Sequence, residues 1–318
     1  MRRAIRDPVQ LCRVLGLPAD YEPAAAAAAG QFPVFAPWSF VDRMRSGDPH
    51  DPLLRQVLPV AEELDEVPGF AADPLAEAAA MPRPGLVAKY PGRVLLITTG
   101  ACAVHCRYCF RRHFPYQDAP HGIADWEPAL QQIARDPTID EVLLSGGDPL
   151  TRTDAQLAAL GESLAAIPHL RRLRVHTRLP IMIPQRVTEG LLAWLGGSRL
   201  TPIVVVHANH PAELEGDVPA ALGRLVERGV PVLNQAVLLR GVNDDAQVLE
   251  ALCRRLVDLR VLPYYLHQLD RVAGAAHFEV PVARGRQLWA ALQSRLPGYA
   301  VPRYVRETPG RSSKVWLA

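Results

Sequence analysis

Three cysteines stand within eight residues, in the run Cys102-Ala103-Val104-His105-Cys106-Arg107-Tyr108-Cys109. The spacing C-x3-C-x2-C offers three thiolates, the ligands that hold iron–sulfur clusters or zinc. A 4Fe-4S cluster has four irons, so three cysteines leave one corner free to bind the amine and carboxylate of S-adenosylmethionine. The alternative is a zinc site completed by His105 or His113, although structural zinc favours four ligands from paired motifs. Cys12 and Cys253 are isolated, and Cys253 falls on an apolar helical pattern, as a core residue does.

A second candidate is Ser145-Gly146-Gly147-Asp148-Pro149. Two glycines let backbone approach a ligand closely, while the plainer reading is a strand-to-helix turn with Asp148 as its cap. Beside the cysteine loop the segment reads as a seat for the methionine end of S-adenosylmethionine. Amine chemistry is restricted further, because Lys89 and Lys314 are the only lysines among 35 basic residues.

Both motifs follow short apolar runs. Six runs read as strands: Val94 to Thr98, Glu141 to Ser145, Arg172 to His176, Ile203 to His207, Val230 to Leu238 and Leu262 to Leu266. Helix-length stretches such as Asp154 to Ala166 and Ala246 to Leu259 lie between them, which predicts an α/β fold, a partial open (β/α)6 barrel with its site at the carboxyl ends of the strands. Residues 1–90 are proline- and alanine-rich, with the run Ala24 to Ala29 and helical pieces around Pro8 to Leu15 and Pro52 to Leu64, so a helical N-terminal segment is expected there. Residues 91–269 form the barrel, and 270–318 a separate C-terminal flap.

The 318 residues suffice for a large core; 49% are hydrophobic, 21% charged, and the net charge is +2. This balance excludes disorder and a broad nucleic-acid footprint. Clustered rather than paired cysteines favour a reducing, cytoplasmic setting over a disulfide framework. The stretch Met1 to Leu17 carries Arg2, Arg3 and Arg6 without the continuous apolar run of a secretion signal, and no run approaches the ~20 apolar residues of a membrane helix.

The cysteine run, Gly146-Gly147-Asp148-Pro149 and His207-Ala208-Asn209-His210-Pro211 together resemble the lysine 2,3-aminomutase family of radical S-adenosylmethionine enzymes, over residues 85–314. Within it, the run from Cys106 to Tyr116 is similar to the subfamily whose β-lysine modifies elongation factor P. The resemblance implies pyridoxal phosphate held by a lysine amine, with Lys314 favoured over Lys89 from the segment Glu307 to Lys314 and the C-terminal flap as its carrier. It further implies Arg93, Asn234 and Gln235 on the pyridoxal phosphate, with His207 joining Ser145 to Pro149 on S-adenosylmethionine.

For the substrate, the resemblance implies Arg111 on an amino-acid carboxylate and Asp270 with Glu307 on a distant ammonium, two acids that select lysine over an acidic substrate. The implied reaction is a 2,3-amino shift from L-α-lysine to (R)-β-lysine, with an electron donor such as flavodoxin or ferredoxin. The implied partners are the elongation factor P ligase and the factor itself. A free-standing aminomutase of β-lysine metabolism is the alternative, and a non-catalytic iron–sulfur or zinc scaffold is the rival from another class. Longer members of the family carry extra cysteines for zinc where this chain has Asp245, so no structural zinc is expected, and a homo-oligomer is left open.

Overall fold

A computed structural model describes residues 4–116, 120 and 122–318; Arg2 and Arg3 lie outside the described residues. The chain begins with β1 (Ala4–Ile5), α1 (Pro8–Val14), α2 (Tyr21–Ala29), β2 (Ala36–Pro37) and α3 (Trp38–Val41). Next come β3 (Leu86–Tyr90), β4 (Arg93–Thr99), α4 (Ile123–Arg135), β5 (Glu141–Gly146), α5 (Asp154–Ala165), β6 (Arg172–Thr177), α6 (Leu179–Met182) and α7 (Glu189–Gly197). The last part holds β7 (Thr201–Val206), α8 (Val218–Glu227), β8 (Val232–Leu238), α9 (Ala246–Asp258), β9 (Leu262–Gln268), α10 (Val282–Arg295), β10 (Arg303–Arg306) and β11 (Val315–Trp316).

The six expected strands are β4 to β9, each parallel to the next. They belong to one nine-stranded sheet in the order β11-β10-β9-β8-β7-β6-β5-β4-β3. The edge strands β3 and β11 are antiparallel to their neighbours and do not meet, so the barrel is open. The segment 270–318 departs from the separate flap expected of it. Its strand β10 pairs in parallel with β9, and α10 supplies the preceding helix, so the βα pattern runs one unit further. Arg303-Tyr304-Val305-Arg306 is too short and too charged to stand out as a buried strand.

The strands are two-faced. In β6, Leu173, Val175 and Thr177 are buried against the helical layer, while Arg172, Arg174 and His176 are less buried, as alternation of side chains requires. The helices start where the sequence provides caps. Thr153 and Gln156 form a reciprocal capping box on α5, Thr188 caps α7, and Asp245 caps α9 through the N–H groups of Gln247 and Val248. Such caps contribute about 1 kcal/mol each. Cys253 is buried on α9, in the core as expected.

The N-terminal segment is less helical than its composition suggests. Pro52 to Leu64 forms two short 3-10 turns, Leu54–Gln56 and Ala61–Leu64, rather than one helix. Pro59 lacks an N–H and disfavours helical backbone at Leu58, which splits the stretch. The segment nevertheless buttresses the cysteine loop. His105 N donates to Phe35 O at 3.0 Å, Arg107 N to Gln56 O at 2.9 Å, and the buried Glu63 carboxylate is shared by Arg107 and Arg112 at 2.5 and 2.7 Å. No helix among the described residues is long and apolar enough to cross a membrane.

Candidate active site

Cys102, Cys106 and Cys109 lie in the irregular loop after β4, at the carboxyl end of the sheet, and all three are unpaired thiols. Burial, with the neighbouring cysteines adding to it, pushes Cys102 upward and Cys109 to about 11, so without metal Cys102 and Cys109 keep their protons. Iron removes them on binding. Among the described residues no three His, Cys, Asp or Glu side chains converge on a point that one ion could fill. A four-iron cluster instead takes its ligands at separate corners, and three thiols spread over one loop fit that donor set.

The glycine pair has a different reason from the one expected. A Cβ on Gly147 would stand 2.3 Å from Ala101 O, and one on Gly146 would stand 2.8 Å from Thr99 O, with Gly146 at φ +111°. The backbone approaching closely is therefore the cysteine loop itself, tied down by Gly147 N to Thr99 O and Asp148 N to Ala101 O, both 2.8 Å. The Asp148 carboxylate is spent inside the protein: it accepts from Leu150 N, Thr177 Oγ1, Arg178 N and Leu179 N. It clamps the loops after β5 and β6 together. Pro149, buried, starts the short turn that follows.

Asn234 is tied to backbone in the same way. Its side chain accepts from Ala208 N at 2.8 Å and donates to Ala208 O at 3.0 Å, which fixes the loop after β7. That loop carries His207, whose Nε2 lies 3.2 Å from Asn209 Oδ1 and whose ring stands 5.8 Å from that of Tyr108. Burial and then the charge of Arg178 hold His207 down at about 4, so it is a neutral imidazole. Gln235, on the opposite face of β8, is half-buried, and the Arg93 guanidinium stacks on Tyr90 at 4.7 Å without an ion pair among the described residues. Arg93 is thus a cation open to an anionic ligand.

The β10–β11 hairpin brings Lys314 and Glu307 together. Arg306 is opposite Val315, so the next pair outward is Glu307 and Lys314, and their side chains form an ion pair. Gly310, at φ +73°, makes the turn between them possible. Lys89 also reaches Glu307, at 3.5 Å, and Glu77, at 3.1 Å; both lysines of the chain therefore meet at one carboxylate. Burial alone would raise Glu307, but the charge and hydrogen bond of Lys314, with Lys89 behind them, carry it down to about 2. Asp270 differs: burial, reinforced by the Glu307 charge, pushes it up to about 7.

Arg111 is buried and held by Glu77 at 2.6 and 2.9 Å, with Ser145 Oγ at 3.2 Å. The structure thus joins Arg111, Ser145, Lys89, Glu307, Lys314 and Asp270 in one electrostatic neighbourhood. Sequence reasoning missed Glu77, which lies in a stretch without any motif. It also missed His176 and His267, whose buried Nε2 atoms have no partner among the described residues and whose imidazoles are held well below their ordinary range by burial first, then by Arg174 and Lys314 at His176 and by Lys314 at His267. Each is a polar residue on the open face of an apolar strand, a signal that alternation could have supplied. Unpaired nitrogens beside an amine suit a polar cofactor. A cleft of 470 Å³ between residues 75–91 and 307–312 opens beside Lys89 and Glu307.

Comparison with known proteins agrees with this geometry. Residues 96–252 match the family model of the radical SAM superfamily, whose members carry the 4Fe-4S cluster and S-adenosylmethionine. The solved structure of Streptococcus suis SuiB has a TM-score of 0.50 at 16% identity, covering 69% of this chain and 50% of that one, a likeness of fold alone. The L-lysine 2,3-aminomutase of Escherichia coli is 47% identical over 98% of this chain and 92% of its own length. That of Haemophilus influenzae is 44% identical over 100% and 94%, and that of Clostridium subterminale 39% over 84% and 64%. Identity of that order, sustained over nearly the whole of the first two relatives, extends well beyond a shared barrel: the chain belongs to the lysine 2,3-aminomutase family of radical S-adenosylmethionine isomerases.

Proposed function

We propose that this enzyme moves the α-amine of L-lysine to C3, giving β-lysine, with pyridoxal phosphate held on Lys314. The observation that carries the reading is the grouping of Lys314, the acids Glu307 and Asp270, and Arg111 at the carboxyl end of one sheet. When bound, the cluster with S-adenosylmethionine would supply radical chemistry at C3 of the substrate, and pyridoxal phosphate a conjugated system through which nitrogen can migrate.

The protein's part is binding and orientation. Cys102, Cys106 and Cys109 hold the cluster, and the backbone of Ser145 to Pro149 with neutral His207 lines the seat for S-adenosylmethionine. Arg93 and Gln235 receive the phosphate of pyridoxal phosphate. Arg111, given up by Glu77, pairs with the substrate carboxylate as a planar fork. Glu307 and Asp270 receive the ε-ammonium, Glu307 once Lys314 has turned to the cofactor. Two acids on one cation select a basic amino acid and repel an acidic one. Fixing both ends of lysine matters because a misplaced radical reacts with whatever is nearest.

The product is destined for elongation factor P, attached by a synthetase-like ligase in the cytoplasm, with flavodoxin or ferredoxin as reductant. The similarity of Cys106 to Tyr116 to that subfamily supports this. The test is product analysis after incubating reconstituted enzyme with free lysine and, separately, with lysylated elongation factor P. β-Lysine from free lysine, accepted by the ligase, supports the reading. Conversion of the protein-bound lysine alone, or of neither, overturns it.

A further inference from the structure

One buried cation outside the residues assigned above touches a cluster ligand. Arg178 directly follows β6, and its Nη1 lies 2.7 Å from Cys106 Sγ. Nη2 of the same guanidinium donates to Glu213 Oε2 at 2.8 Å and to Gln56 Oε1 at 2.6 Å. The group is flanked by the rings of Phe40 and Tyr108, 5.8 and 5.7 Å away, and its Nε is buried without a partner among the described residues. Its backbone N–H is fixed by Asp148 Oδ2 at 2.7 Å. Glu213 is itself fully buried and held by Gln56 Nε2, Asn209 N and His210 N.

A neutral thiol is a weak acceptor, and burying a guanidinium to meet one gains little. A thiolate bound to iron is anionic, and a charge-assisted hydrogen bond to it is strong. The contact from Nη1 is therefore the one the anionic sulfur strengthens. We propose that Arg178 is a positioning residue that sets the reduction potential of the cluster through Cys106, with Glu213 offsetting part of its charge. Reduction adds one electron to an already anionic cluster, so a donor cation at a ligand sulfur stabilises the reduced form more than the oxidised one. Arg178 raises the potential, and Glu213 lowers it.

The inference rests on Cys106 being a cluster ligand and needs neither lysine nor pyridoxal phosphate. Failure of the aminomutase assignment and failure of this one are therefore separate results. The test is a redox titration, followed by electron paramagnetic resonance, of the full chain reconstituted anaerobically without substrate, after iron and sulfide have been counted. Arg178→Gln is expected to shift the one-electron equilibrium about tenfold against reduction, a fall of about 59 mV. Arg178→Lys is expected to recover part of it, and Glu213→Gln to move the potential upward. A fully loaded Arg178→Gln protein with the wild-type potential overturns the proposal. If that variant holds no iron, Glu213→Gln decides: a rise supports the proposal, and an unchanged or lower potential overturns it.

Discussion

Arg111 is gripped by Glu77 through two hydrogen bonds, 2.6 and 2.9 Å, where the proposed substrate carboxylate would bind. Glu77 therefore stands in for substrate, and lysine has to displace it. In Glu77→Gln the Arg111 charge loses its partner, so the ligand-free protein is expected to lose about 3 kcal/mol of stability. Lysine then restores a missing anion instead of competing with one, and its affinity rises about fivefold or more. Thermal unfolding with and without lysine checks this, the variant showing the lower starting Tm and the larger lysine-induced shift. An equal shift in both proteins would remove Glu77 from the substrate site.

Asp270 and Glu307 are driven in opposite directions, to about 7 and about 2. Asp270 becomes an ammonium-binding anion only as pH rises through about 7, so KM for lysine is expected to fall between pH 6 and 8. Asp270→Asn abolishes that dependence and leaves KM high throughout.

The same shift bears on stability. Between its ordinary range near 3.9 and about 7, folded Asp270 keeps a proton that the unfolded chain has released, so stability falls as pH rises across that window. Asp270→Asn is expected to match wild type near pH 4 and exceed it by about 4 kcal/mol at pH 8. Denaturant midpoints at the two pH values measure it.

Lys314 and Lys89 both contact Glu307, yet they are expected to separate cleanly in function. Lys314→Ala abolishes the visible absorbance of bound pyridoxal phosphate, and borohydride treatment labels Lys314 in the wild type. Lys89→Ala keeps the absorbance and changes KM for lysine. Loss of the absorbance only in the Lys89 variant would reverse the assignment.

The buried Glu63, shared by Arg107 and Arg112, ties the N-terminal segment to the cysteine loop. Glu63→Ala leaves two buried cations without their anion and is expected to cost about 3–5 kcal/mol. Iron content after reconstitution should fall with it, since Arg107 lies between two of the cysteines.

The strands β4 to β9 were legible because runs such as Val-Leu-Leu-Ile-Thr and Ile-Val-Val-Val are short, apolar and rich in β-branched residues, and the cysteine loop because its ligand spacing is local. What escaped has no local signal. Glu77, Glu63, Gln56, Arg178 and Glu213 act only because distant segments meet, and each in isolation is one polar residue among many. The glycines of Gly146-Gly147 were legible as a close approach, but the sequence does not say to what. Asp148 was legible as a cap, which its bond from Leu150 N makes it, whereas the pairing of Asn234 with the backbone of Ala208 had no local signal.

The most direct measurement is the electron paramagnetic resonance of the anaerobically reconstituted, reduced protein with and without S-adenosylmethionine. A 4Fe-4S signal that changes when S-adenosylmethionine binds, and that disappears in Cys102→Ala, Cys106→Ala and Cys109→Ala, is the result expected of a cluster with one open iron. A signal indifferent to S-adenosylmethionine, or one that survives loss of these cysteines, would contradict it.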